Sequence, residues 1–83
     1  MKIYTVKFLG FTAFTTARKA IEYVKMSMPE THFKTYDDEH NVTKTSINAF
    51  TTEKLIAQLN KEYYILLSLG DLEEVEIEKM HVN

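Results

Sequence analysis

The sequence predicts an α+β fold, an antiparallel sheet with two helices on one face. Three observations carry this expectation. Apolar and polar residues alternate near both ends of the chain, over residues 2–9 and 74–78, which is the period of half-buried strands. Two internal stretches carry apolar residues at helical spacing, each behind a threonine able to cap a helix. Gly10, Pro29, the polar run 37–41 and Gly70 with Asp71 punctuate these segments.

The first strand covers residues 2–9, with Tyr4, Val6 and Phe8 on one face and Thr5 and Lys7 on the other. Ile3 and Leu9 add apolar weight to the second face, as in a central strand covered on both sides. Gly10 ends it and permits a turn that a Cβ would resist. The first helix starts at Thr15 or Thr16 and buries Ala17, Ala20, Ile21, Val24 and Met28. Arg18, Lys19, Glu22 and Lys25 face the other way, with Arg18 and Glu22 at ion-pair spacing. Pro29 stops this helix. Residues 31–37 and 42–47 read as a hairpin around the turn 37–41. The second helix begins at Thr51, with Phe50 and Leu55 at the spacing of a hydrophobic staple. Its inward face is Leu55, Ile56, Leu59 and Tyr63. Residues 63–69 form a buried strand. Gly70 and Asp71 make a two-residue hairpin turn, and a last strand follows. That strand points Val75 and Ile77 inward and Glu74, Glu76 and Glu78 outward, the pattern of a charged edge strand. The resulting order is the ferredoxin-like βαββαβ arrangement with an extra C-terminal strand.

Eighty-three residues make one domain, residues 1–83, with a small core. Pairing as a homodimer would add buried area. The chain has no cysteine, so a disulfide framework and thiolate metal sites are excluded. No apolar run approaches the roughly 18 residues of a membrane span, and the N-terminus lacks the pattern of a signal peptide. The expected location is the cytoplasm. Charge is uneven. Residues 1–36 carry six basic against two acidic side chains, a net +4, and residues 37–83 carry four against ten, a net −6. A basic face built from the first half would suit phosphate or an acidic protein.

Catalytic chemistry finds little purchase. Asp37, Asp38, Glu39 and His40 put oxygen and imidazole together in a turn, but no second ligand pair stands at zinc spacing and no calcium loop is present. His32 and His81 are isolated. None of Ser27, Ser46 and Ser68 lies in a nucleophile motif, and Gly10 and Gly70 are too isolated to cradle phosphate. The expectation is a non-enzyme with no metal and no cofactor. RNA-recognition domains need an aromatic on the first strand and a Gly-aromatic motif on the third. Tyr4 meets the first need, while residues 42–47 contain no aromatic. A looser RNA mode remains, with Lys2, Lys7, Arg18, Lys19, Lys25 and Lys34 gripping phosphates.

The residues Val6-Lys7-Phe8-Leu9-Gly10-Phe11 form a V-x-F-x-G-aromatic pattern at the end of a strand that begins almost at the first methionine. This resembles the start of small T4-type phage early proteins that inhibit host RNase toxins. The resemblance implies an interaction protein, antitoxin-like or counter-defence in role, that blocks a host protein in the host cytoplasm by stoichiometric binding. It carries over no functional residue. The candidate partner surface is the stretch 10–14 with the exposed side of the first helix: Phe11, Phe14, Arg18, Lys19 and Lys25; the alternative surface is the acidic last strand, which could mimic phosphate toward a basic site. Aromatic and arginine side chains often dominate interface energy. The alternative is an RNA-binding regulator using the six basic residues named above, with RNA bridging to a toxin or nuclease.

Overall fold

The computed structural model describes residues 1–82. Three β-hairpins alternate with two helices along the chain. The first hairpin is β1 (Lys2–Lys7) and β2 (Phe11–Phe14), followed by α1 (Ala17–Ser27). The second is β3 (His32–Tyr36) and β4 (Val42–Ser46), followed by a short 3-10 turn (Ile47–Ala49) and α2 (Thr52–Glu62). The third is β5 (Tyr64–Leu69) and β6 (Glu73–His81). All six strands join one sheet in the order β2-β1-β6-β5-β3-β4. Every neighbouring pair is antiparallel. The third hairpin is thus inserted between the first two.

Local chemistry accounts for the helices. Thr16 caps α1 by accepting a hydrogen bond from the Lys19 N–H at 3.1 Å, and Thr51 caps α2 through Lys54 N–H at 3.2 Å. Ala20, Ile21 and Val24 of α1 and Leu55 and Leu59 of α2 are buried. They pack on Tyr4, Val6, Ile65, Leu67, Val75 and Ile77, one side of the sheet. After α1 the chain passes Pro29 and turns, where the buried Thr31 hydroxyl donates to the Met28 carbonyl at 2.8 Å. Tyr63 ends α2 in the left-handed region at φ +64. It is exposed, which corrects its expected inward position.

The sheet departs from the ferredoxin-like order in three ways. First, Gly10 does not lead directly into a helix. Leu9 and Gly10 take φ values of +53 and +122, and the chain returns as β2, pairing Lys7 with Phe11 and Tyr4 with Phe14. Second, α1 joins the parallel strands β2 and β3 across three intervening strands, whereas α2 joins β4 to β5 across β3 alone. Third, β6 is not a charged edge strand. It lies inside the sheet, paired with β1 over Glu76–His81 and with β5 over Glu73–Glu78. The β5–β6 turn also holds three residues, Gly70 to Leu72, since Leu69 pairs with Glu73. Both helices sit on one face, so among the described residues the other face has no covering layer. β1 and β5 are therefore covered on one side only, and β5 alternates: Ile65 and Leu67 are buried, Tyr64 and Leu66 exposed.

Candidate functional site

Sheet register decides which side chains reach the uncovered face. Directly paired residues point to the same side of a sheet, and neighbours along a strand to opposite sides. Since Val6, Ile65 and Ile77 point to the helices, Lys7, Leu66 and Glu76 point away. The pairs Phe11 with Lys7, Lys7 with Glu76, and Glu76 with Leu66 make one continuous row across four strands. The adjoining row runs from Ala13 through Thr5 and Glu78 to Tyr64. Met80 stands beside Ile3 beyond it. Phe11 is 73% exposed, and Tyr64, Leu66 and Met80 are each about 40% exposed (40%, 38% and 44%). Leu9 and Leu72, at the two neighbouring turns, are almost fully exposed.

The middle of this face is acidic. Glu74, Glu76 and Glu78 alternate along β6, with carboxylates repeating at roughly 6–7 Å for residues two apart in a strand. Lys7 Nζ reaches Glu76 Oε2 at 4.0 Å, a contact half open to water. Glu74 and Glu78 have no cationic partner within 4.0 Å among the described residues. The local field is visible at Tyr64. Desolvation pushes its phenol above the usual tyrosine value, and Glu76, Glu74 and Glu78 push in the same direction. Farther across, Lys34 and Lys44 stand opposite each other on β3 and β4, and Lys44 lies 3.7 Å from Asp71.

The structure separates the residues expected to form one partner surface. Phe11 lies on the uncovered face. Phe14 points to the helices, half-buried, with its ring centroid 5.2 Å from that of Tyr23. Arg18 is engaged: its Nη2 donates to Glu53 Oε1 at 2.9 Å, and Nη1 lies 3.7 Å from Glu22. Lys25 donates to the backbone carbonyl of Phe50 and so ties α1 to the entry of α2. Lys19 is exposed on α1 with no ion-pair partner among the described residues. The six basic residues do not merge into one patch. Arg18, Lys19 and Lys25 are on the helix side, and Lys7 and Lys34 are on the uncovered side with the glutamate row between them. Lys2 lines a cleft at one end of the sheet with Tyr63, Lys79 and His81. There Lys79 donates to Asn60 Oδ1 at 3.0 Å.

Asp37, the first residue of the oxygen-rich turn, uses its carboxylate to close that turn. It accepts from the N–H of Glu39 at 2.9 Å and of Asn41 at 2.8 Å, with the Asn41 amide at 3.3 Å. These bonds, that of Asn41 first, hold its carboxyl below the usual range. No cluster of three or more potential metal ligands forms among the described residues. No described helix is long and apolar enough to cross a membrane.

Tyr64, Leu66 and Met80 were absent from the sequence-derived site. Their alternation with buried Ile65, Leu67 and Ile77 was legible, but only the sheet order shows that they share one face with Phe11; Tyr64 and Leu66 stand three strands away from it. Against protein-family models, curated proteins and solved structures, the chain finds no match.

Proposed function

We propose that the protein is a non-enzymatic interaction protein that blocks another protein by stoichiometric binding, and that the uncovered sheet face is its binding surface. The observation that supports this is a six-strand sheet with both helices on one side and Phe11, Tyr64, Leu66 and Met80 exposed on the other. Large apolar side chains exposed together on one face mark protein contact sites, and here they stand on either side of the glutamate row. The resemblance of residues 6–11 to T4-type phage inhibitors of RNase toxins agrees with such a role, and makes it counter-defence or antitoxin-like. In that setting the target is a host protein and the site of action the host cytoplasm.

The RNA-binding reading has less support. Phosphates gripped by Lys7 and Lys34 would have to pass over Glu76 and its neighbours. The helix-side cations Arg18 and Lys25 already hold Glu53 and the Phe50 carbonyl.

Affinity capture from nuclease-treated lysate of the cell in which the protein acts tests the proposal. A partner retained by the native protein and lost with Phe11→Ala or Tyr64→Ala supports it. A partner retained equally by both variants, or one that disappears on nuclease treatment, overturns it.

A further inference from the structure

This inference rests on the reading above and gives the partner a chemistry. We propose that the uncovered face between Phe11 and Leu66 receives a basic segment of the partner protein. Its Lys or Arg heads seat on Glu74, Glu76 and Glu78, and its aliphatic parts lie on Phe11, Tyr64, Leu66 and Met80.

The sheet order removes the ordinary explanation of the glutamate row. Charged residues on an edge strand guard against edge-to-edge pairing, but Glu76 and Glu78 have a paired strand on each side, β1 and β5, and Glu74 is paired with β5 and flanked by the β1–β2 turn. Three like charges on one side of an interior strand repel one another, and among the described residues only Lys7 offsets them, at 4.0 Å. Apolar side chains flank the row on both sides, Phe11 across β1 and Leu66 on β5. Such a surface combines charge complementarity for a cation with apolar contact for its methylene stem, which lysine and arginine supply together. The repeat of roughly 6–7 Å matches every second residue of an extended segment and is close to the roughly 6 Å of every fourth residue of a helix. Nucleic acid brings charge of the wrong sign. A second copy of this chain, laid row on row, does the same.

The raised titration of Tyr64 agrees with this field.

Amide-resolved NMR of the full-length protein tests the proposal. The probes are a short synthetic peptide of alternating arginine and alanine, the same peptide with glutamate for arginine, and a short single-stranded RNA. The expected result is that only the arginine peptide binds, with shifts gathered on β1, β5 and β6. Affinity should fall roughly tenfold or more in E74Q/E76Q/E78Q, as three partly exposed ion pairs imply. It should be unchanged in D38N/E39Q, which removes acids from the remote turn. Shifts centred on that turn, equal affinity in the triple variant, or binding of the RNA overturn the proposal. Concentration-dependent shifts on the same face without peptide also overturn it, by assigning the face to a second copy. If the arginine peptide fails while lysate capture through Phe11 succeeds, the basic-partner inference falls and the inhibitor reading stands. If capture through Phe11 fails, the inhibitor reading falls with it.

Discussion

Phe11 stands directly across from Lys7 in the first hairpin, on the opposite side of the sheet from both helices. Its ring contributes little to the core, being 73% exposed. Phe11→Ala should therefore change stability by no more than about 0.5 kcal/mol, as exposed substitutions usually do, while weakening capture of the partner. Thermal melting and pull-down on the same preparation check this. A loss of several kcal/mol would show that Phe11 is a packing residue.

Arg18 joins the N-terminal turns of α1 and α2 through Glu53 at 2.9 Å and holds Glu22 within its own helix. All three side chains are about half or more exposed, so the network is screened by salt. Arg18→Ala should lower the melting temperature at low ionic strength, and the gap from the native protein should narrow in about 1 M salt. An unchanged gap would mean that the guanidinium acts by packing. Partner binding through the uncovered face should not respond to this substitution.

Gly10 is held at φ +122, with nothing within 4 Å of where a Cβ would sit. The obstacle to a side chain there is backbone conformation, not crowding. Gly10→Ala should cost about 1–3 kcal/mol, measurable by chemical denaturation. Because the turn aligns β2 on β1, the NMR signals of residues 11–14 should shift most.

The parts of the fold that were legible in sequence are those governed by near neighbours. Thr16 and Thr51 cap helices within three residues of themselves, and Pro29 stops α1 for a local steric reason. Glu22 was readable as a partner of Arg18 because four residues make one helical turn. Glu53, the closer partner, lies 35 positions away and left no local signal. β2 was missed because four residues, Phe-Thr-Ala-Phe, are too few for alternation to distinguish strand from loop. The alternation of β6 was read correctly and its place wrongly. Period shows which side chains face the core, whereas edge or interior depends on pairing with β1 at the other end of the chain. The candidate site suffered most, since Phe11, Glu76 and Leu66 meet only through that pairing.

Acid should destabilise the protein through two carboxylates. Its own backbone N–H, in the first turn of α2, and then Arg18, hold Glu53 below the ordinary carboxylate range. The bonds within the 37–41 turn do the same for Asp37. Each is lowered in the folded state, so its contribution is present above the unfolded-state value and is lost as pH falls through the folded-state value. Denaturation midpoints should hold from neutral pH to the ordinary carboxylate range and decline below it. Glu53→Gln should lower stability at neutral pH and flatten the acid decline. An acid limb identical to that of the native protein would remove Glu53 from this account.

Tyr64 reports the field of the uncovered face most directly, because it stands across from Glu78 with Glu76 diagonal to it. Desolvation is the first cause of its raised phenol titration and the glutamates are the next. E74Q/E76Q/E78Q should therefore bring that titration down toward the usual tyrosine value without removing the whole shift. Carbon-13 tyrosine NMR across the alkaline range resolves Tyr64 from the other tyrosines. The sign for stability follows from the same comparison. A phenol whose folded-state value is raised keeps its proton longer in the folded chain, so stability falls as pH rises from the unfolded-state value through the folded one. Tyr64→Phe should make the protein more resistant in that window. The triple glutamine variant should do so as well, and should be at least as stable as the native protein at neutral pH, since it removes like-charge repulsion within one strand. Stability retained or raised together with lost binding of the arginine peptide would separate a binding role for the row from a structural one. A destabilised triple variant whose Tyr64 titrates as in the native protein would show that the carboxylates are held by local contacts and do not set the field of this face.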